Sequence, residues 1–66
     1  MSIAKTVEIT AESSKGFEDA IQHGLSRAGK TIKNVKSAWV KDQQVDLQDG
    51  SISSYRVSLK VTFVLD

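Results

Sequence analysis

The sequence predicts an α+β domain with the order β-α-β-β, in which a three-stranded antiparallel sheet packs on one helix. Apolar residues alternate with polar ones near both ends of the chain, as in half-buried strands. Between these stretches they recur at the three- and four-residue spacing of an amphipathic helix. The chain has 66 residues without a linker or internal repeat, so we expect a single domain over residues 1–66.

The first strand is predicted over Ile3 to Ala11. β-branched residues are frequent there, and residues of one parity are apolar while those of the other are polar, with Lys5 as the exception. This pattern is typical of a strand with one buried face. Glu8 lies on the polar face, where we expect an ion pair with Lys60 or Arg56 if the first and last strands are neighbours.

The helix is predicted from Ser14 to about Lys33. Its apolar face is formed by Phe17, Ala20, Ile21, Gly24, Leu25, Ala28 and Ile32. Ser13 or Ser14 is expected to cap the N-terminus through its hydroxyl. A glycine costs up to about 1 kcal/mol relative to alanine inside a helix, so Gly24 on the apolar face indicates a close approach to the sheet.

A long hairpin is predicted from Val35 to Asp66. Asp49-Gly50 is a strong signal for a type I′ turn, which requires positive φ at both central residues. In the last strand, the residues that share the apolar face are Tyr55, Val57, Leu59, Val61, Phe63 and Leu65. This face must cover the helix.

Centring the hairpin on Asp49-Gly50 predicts the surroundings of Trp39. Val40 falls opposite Leu59, and Trp39 falls opposite Lys60 on the polar face. The same register puts Ser37 on that face and pairs Gln43 with Arg56. Val45 and Leu47 change parity relative to Val40, so we expect a β-bulge near residues 42–44. A slip of one residue would move Trp39 into the core.

Trp39 has two interpretations. An indole beside hydrogen-bonding side chains suits a flat heteroaromatic ligand. In that case Trp39 stacks on the ligand, Arg56 and Gln43 donate to its edge, and Ser37 lines the site. Alternatively, Trp39 fills a subunit interface, where tryptophan is enriched.

Composition narrows the functional classes. The net charge is +1, with nine basic and eight acidic residues, which gives no basic surface for nucleic acid or for a membrane. Cysteine is absent and His23 is the single histidine, so we expect no metal site and assign His23 to the solvated helix face. Without a catalytic motif or a signal-peptide core, we expect a cytoplasmic protein that is not an enzyme.

Size predicts self-association. A domain of this length buries only about 60% of the surface that its unfolded chain exposes, and this chain cannot form disulfides. Oligomerisation is the common remaining source of stability. We therefore expect a homo-oligomer. Its symmetry axes could bring together identical carboxylates, such as those of Glu8, Asp42, Asp46 or Asp49, as a small-ion site.

Three segments together resemble the dodecin family. They are "VEITAESSKGFEDAI" at the first strand and helix start, "RAGKTIKNVKSAWV" at the helix end and second strand, and "YRVSLKVTFVLD" in the last strand. The resemblance covers nearly the whole chain. It implies a cytoplasmic hollow sphere of twelve subunits with cubic symmetry, which sequesters or stores a flavin (FMN, FAD or riboflavin) without catalysing a reaction.

The resemblance also locates the site. Flavin-binding dodecins stack the isoalloxazine ring on a tryptophan of the second strand, and that position matches Ser37 here, two residues before Trp39. A family glutamine that holds the ring edge matches Arg56. Two alternatives follow: Trp39 replaces the displaced tryptophan, with Arg56 and Gln43 as donors, or the chain forms a flavin-free shell with a structural or ion-binding role.

Overall fold

The computed structural model describes residues 3–65 and has the predicted architecture. Strand β1 (Ile3–Ser13) is followed by helix α1 (Phe17–Thr31), strand β2 (Val35–Gln48) and strand β3 (Ser51–Leu65). The sheet order is β1-β3-β2, and both pairs are antiparallel. The fold class is confirmed, while Asp66, the predicted end of the hairpin, lies outside the described residues. The helix is too short and too polar to cross a membrane in this part of the chain.

Helix α1 is shorter at both ends than predicted, and the expected cap is wrong. Gly16 occupies the N-cap position, and no side chain caps the helix there. The Ser13 hydroxyl instead accepts a hydrogen bond from the Lys15 backbone N–H at 2.9 Å and donates to Asp19 Oδ2 at 2.5 Å. Ser13 thus orders the turn between β1 and α1, because it bonds residues on both sides of Gly16.

Gly24 lies at a close approach of the helix to the sheet, as predicted. A Cβ atom at this position would lie 2.9 Å from the Ala11 Cβ and 3.5 Å from Leu59 Cδ1. Such a separation from Ala11 is shorter than real Cβ contacts allow. The helix can therefore approach β1 this closely only with glycine at position 24.

The core is small and lies between α1 and the middle of the sheet. The buried apolar residues of the described chain are Ala20, Ala28, Val57, Leu59 and Val61. Complete burial of a Val or Leu side chain contributes about 1.5–3 kcal/mol. The three buried side chains of β3 thus supply most of this core, as expected for the central strand of a sheet.

The hairpin extends past the helix and makes the subunit elongated. The principal extents are 51 × 19 × 13 Å, and the radius of gyration is 13.6 Å, whereas a compact chain of this length has about 11 Å. Val45, Leu47 and Ile52 are exposed at 37%, 63% and 51%. By the strand register they belong to the helix side of the sheet, beyond the end that α1 covers.

The turn and the register near Trp39 agree with the predictions. Asp49 and Gly50 both have positive φ, at 52° and 81°, as a type I′ turn requires. Trp39 is opposite Lys60 and Val40 is opposite Leu59. Further irregularities separate Val35 from Ser37 and Asp46 from Leu47.

The predicted pairing of Gln43 with Arg56 is wrong. Counted from the turn, the ladder shifts between Asp46 and Leu47, where Ser53 is an extra residue of β3, and shifts back between Val40 and Asp42, where Lys41 is an extra residue of β2. The bulge at Lys41 lies one position before the predicted range. Gln43 is consequently opposite Val57, and Gln44 is opposite Arg56. Because a shift of one residue moves a side chain to the other face, Gln43 leaves the face of Trp39 and Gln44 takes its place.

Candidate functional site

The candidate site is the side of the sheet opposite α1, called here the open face. Directly paired residues of neighbouring strands project to the same side, so the register defines this face. Its members on the central part of the sheet are Glu8, Thr10, Glu12, Ser37, Trp39, Asp42, Gln44, Asp46, Ser54, Arg56, Ser58, Lys60 and Thr62. Trp39 is the one large aromatic ring among these polar groups.

Trp39 is exposed because the pleat of β2 turns it away from the core. Its neighbours Ala38 and Val40 pack against the buried cluster of β3, so the intervening side chain must project to the other side. Trp39 retains 62% of its accessible surface. The Lys60 ammonium lies 5.4 Å from the indole centroid, within range of a cation–π interaction.

Ser37 lies on the open face beside Trp39, as predicted. It is opposite Thr62, one pair along from Trp39 and Lys60. Successive residues on one face of a strand are about 7 Å apart. The small Ser37 side chain therefore leaves space next to the indole on the same surface.

Arg56 is held between two carboxylates. Its Nη2 atom lies 2.7 Å from Glu12 Oε1 on β1 and 2.8 Å from Asp46 Oδ2 on β2. Its Nε atom also donates to Glu12 Oε1 at 2.7 Å, and the Ser54 hydroxyl donates to Asp46 at 2.9 Å. Arg56 thus links all three strands. Only the N–H groups that are not bound to Glu12 or Asp46 remain for its predicted role as an edge donor.

The ion pair predicted for Glu8 has a different partner. Glu8 is opposite Lys60 in the ladder, but its Oε1 atom pairs with Lys41 Nζ at 3.4 Å. Lys41 is the extra residue of the bulge, so its side chain can reach across the sheet toward β1. This arrangement leaves the Lys60 ammonium beside Trp39.

Sequence reasoning missed Gln44 as an open-face residue, although a signal was present. The parity change at Val45 required a bulge before it, and a bulge placed at Lys41 brings Gln44 to the face of Trp39. Gln44 carries both a donor and an acceptor at its amide. It lies opposite Arg56. This end of the open face holds the carboxylate clamp, formed by Arg56, Glu12 and Asp46.

A groove between α1 and β1 lies on the other side of the sheet. It is lined in part by Ile9, Gly24, Arg27 and Thr31, with His23 at its rim. His23 Nε2 is 3.5 Å from Asp19 Oδ1, and the His23 side chain is 73% exposed. The sheet separates this groove from Trp39, so the two surfaces cannot share one small ligand.

Asp19 has the one clear pKa shift among the described residues. The Ser13 hydrogen bond is the main cause and lowers the pKa, against an opposing effect of burial. The charges of His23 and Lys15 lower the Asp19 pKa further. This carboxylate, in the first turn of α1, therefore anchors the turn that precedes the helix, and it lies away from the open face. Within residues 3–65, no group of three or more His, Cys, Asp or Glu side chains is placed to hold a metal ion.

Comparison with known proteins identifies relatives across the whole domain. Residues 3–66 match the family model described as Dodecin. The dodecin of Thermus thermophilus is 34% identical over 64 residues, which cover 97% of this chain and 93% of the relative. The sequence similarity and the matched length show that the relationship extends to every strand and the helix.

Solved structures agree closely with this subunit. The dodecin from Streptomyces davaonensis has a TM-score of 0.94 at 32% identity, with 98% of this chain and 96% of that chain covered. The structure of a calcium-chelating antigen of Mycobacterium tuberculosis, calcium dodecin, has a TM-score of 0.84 at 27% identity, with coverages of 98% and 93%. That protein is described as having a novel calcium-binding site.

Proposed function

The chain is a member of the dodecin family, whose members are in general flavin-binding oligomers, and on this premise we propose that it is a homododecamer that binds and sequesters a flavin. The ligand is FMN, FAD, riboflavin or a similar planar aromatic cofactor. The observation that carries the proposal is the exposed Trp39 ring on a polar sheet face. We further propose that the protein is cytoplasmic and acts by binding, without catalysis.

Trp39 is the proposed stacking platform. An indole is large enough to cover much of a fused heteroaromatic ring, and stacking of an aromatic ligand on such a side chain contributes about 1–3 kcal/mol. Trp39 replaces the stacking tryptophan that flavin-binding dodecins have at the position matching Ser37. The small side chain of Ser37, about 7 Å along the same face, lets the ligand extend beyond the indole.

Edge contacts come from the far end of the open face. The Gln44 amide replaces the predicted Gln43 as a donor and acceptor for the polar edge of the ring. Arg56 retains N–H groups beyond those bound to Glu12 and Asp46, and these suit a ring carbonyl. The clamp fixes the guanidinium, so such a contact requires little additional ordering.

The oligomer is needed for two reasons. A single subunit presents Trp39 on an open sheet face, and small-ligand sites usually bury most of the ligand surface, so a second subunit must supply the opposite wall. The exposed Val45, Leu47 and Ile52 also require cover. A dodecameric shell satisfies both requirements, since cubic symmetry repeats each contact at every subunit.

Fluorescence titration tests the proposal directly. Riboflavin, FMN and FAD are each titrated with the purified protein while static light scattering measures the mass of the assembly. We expect stoichiometric quenching of at least one flavin by an assembly of twelve 7.2 kDa subunits. Unchanged fluorescence of all three at micromolar protein would refute flavin binding, and a folded monomer would refute the shell.

A flavin-free shell that binds calcium is the second candidate. It is favoured by the structural similarity to the calcium dodecin and by the carboxylates of Asp42 and Asp46 on the open face. Asp46 is engaged by Arg56 at 2.8 Å, which makes Asp42 the more available of the two. Calorimetry with Ca²⁺, with and without flavin, separates the candidates, because only this second function predicts calcium binding without flavin quenching.

A further inference from the structure

We propose that Lys60 makes the Trp39 site selective for a planar ligand that carries negative charge. This inference rests on the proposed function, since it concerns the ligand of the same site. It names a specificity-determining residue of the central strand, distinct from the stacking ring and from the edge donors.

The first step is the position of the Lys60 ammonium. Lys60 is opposite Trp39 in the ladder, and its Nζ atom is 5.4 Å from the indole centroid. Because the ammonium lies over the ring, a planar ligand stacked on that face displaces it only as far as the Lys60 side chain allows, so the cation stays at the edge of the ligand. Lys60 is half-buried, which reduces the screening of its charge by water.

The second step is that no carboxylate of the described chain neutralises Lys60. Glu8, which is directly opposite on β1, pairs with Lys41. The remaining ion pairs within residues 3–65 involve His23 or Arg56. The positive charge of Lys60 is thus available to interact with the indole face and with a ligand bound on it.

The third step is the contrast with Arg56. Glu12 and Asp46 both contact the Arg56 guanidinium, so this cluster carries a net charge of about −1 when all three groups are ionised. The cluster formed by Lys60, Lys41 and Glu8 carries about +1 on the same assumption. Asp42, opposite Ser58, lies midway between the two clusters and leaves the difference between them unchanged. An anionic group of a bound ligand is therefore attracted to the Lys60 end of the open face and repelled from the Arg56 end.

Negative charge on a flavin has two sources, the phosphate of the side chain and the ring itself in the reduced state. In both cases the ligand carries an anionic group that a nearby ammonium stabilises. A charge near the flavin ring is a recognised way for a protein to tune the electronic properties of the cofactor. Lys60 therefore favours FMN over riboflavin, or reduced over oxidised flavin, by about fivefold, the upper range for partly exposed ion pairs.

The test compares the wild-type protein with Lys60→Gln. One arm measures the ratio of the FMN and riboflavin dissociation constants, and the other measures the midpoint potential of bound riboflavin. We expect Lys60→Gln to reduce the FMN preference about fivefold or to lower the potential by about 20 mV, which is the same factor for a two-electron couple. A reduced FMN preference shows that Lys60 interacts with the phosphate, and a lowered potential shows that it interacts with the reduced ring.

Two control variants make the test specific. Lys60→Arg keeps the charge and should keep the selectivity, whereas Lys30→Gln removes a lysine on the helix and should leave both quantities unchanged. If Lys60→Gln binds riboflavin but alters neither the ratio nor the potential, the inference is overturned while the proposed function stands. If no flavin binds to the wild-type protein, both are overturned.

Discussion

Ser37 and Trp39 lie two residues apart on the open face of β2, opposite Thr62 and Lys60. The register therefore keeps Trp39 on the same face as the position at which the resemblance places the stacking tryptophan, although the indole is displaced along the strand.

The first prediction concerns Trp39→Ala. This change should weaken flavin binding by about 1–3 kcal/mol, because it removes the stacking surface, and it should leave the oligomer intact. Fluorescence titration and light scattering on the same sample measure both effects. Trp39→Phe is the matched control and should retain part of the affinity. Loss of the oligomer with Trp39→Ala would assign the indole to a subunit interface instead.

Most of the fold followed from the sequence because the hydrophobic periods were clear. The parity of β3 identified Val57, Leu59 and Val61 as core residues. The register counted from Asp49-Gly50 is correct at Trp39 because the extra residues Ser53 on β3 and Lys41 on β2 compensate each other. The bulge at Lys41 was harder to place, since any one of several polar residues could supply the extra position. The unpredicted extra residue Ser53 shifts the pairs between the two bulges by one position, so Gln43 was assigned to the wrong face.

The site was less accessible to sequence reasoning, since its charges depend on contacts across strands. Lys41 reaches Glu8 over the central strand, and Arg56 binds carboxylates from both neighbouring strands. No local pattern encodes which of several carboxylates a long side chain selects. The cap at Ser13 failed for a similar reason, because its hydroxyl binds the Lys15 backbone and Asp19.

The second prediction concerns the close contact at Gly24. Gly24→Ala should lower stability despite the better helix propensity of alanine, which is worth up to about 1 kcal/mol. The new methyl group would meet the Ala11 Cβ at 2.9 Å, and overpacking costs about 1–3 kcal/mol. Urea unfolding at fixed protein concentration measures the change.

Gly29→Ala is the matched control for this contact. An added Cβ at Gly29 meets no atom within 4 Å, so this variant should be more stable by about 0.5–1 kcal/mol. Equal stabilisation by both variants would show that the helix has space to move away from β1.

The third prediction concerns the Arg56 clamp. Arg56→Gln should lower the free energy of unfolding by about 1 kcal/mol, because two partly exposed ion pairs are lost and Glu12 and Asp46 remain as neighbouring carboxylates. Adding Glu12→Gln and Asp46→Asn should recover much of this loss by removing the repulsion. Denaturant unfolding of the single and triple variants gives both values, and Lys33→Gln controls for the change in net charge. No recovery in the triple variant would contradict an electrostatic clamp.

The fourth prediction concerns the pH dependence of the turn before α1. The Asp19 pKa lies below its ordinary value of 3.8, mainly because Ser13 donates a hydrogen bond to the carboxylate. Since the folded pKa is below the unfolded one, this contribution to stability is present above pH 3.8 and is lost as the pH falls through the folded pKa. Ser13→Ala should therefore be less stable than the wild type at neutral pH, with a smaller difference in acid.

Urea unfolding at neutral pH and at about pH 3 measures this trend, and an NMR titration of Asp19 should show a higher pKa in the variant. Ser14→Ala is the control, because the turn bonds described above all come from Ser13. A difference between wild type and Ser13→Ala that grows in acid would contradict the assigned cause.

The fifth prediction concerns the apolar end of the hairpin. Leu47 and Ile52 pair with each other, are 63% and 51% exposed, and lie beyond the part of the sheet that α1 covers. Leu47→Ser should dissociate the assembly on dilution, because burial of a leucine side chain contributes about 1.5–3 kcal/mol and a symmetric shell repeats that loss at every subunit. Light scattering over a range of protein concentrations measures dissociation, and Gln48→Ser, at the exposed neighbouring residue of β2, serves as the control. An assembly of unchanged mass at every dilution would place the subunit contacts elsewhere and leave these side chains in solvent.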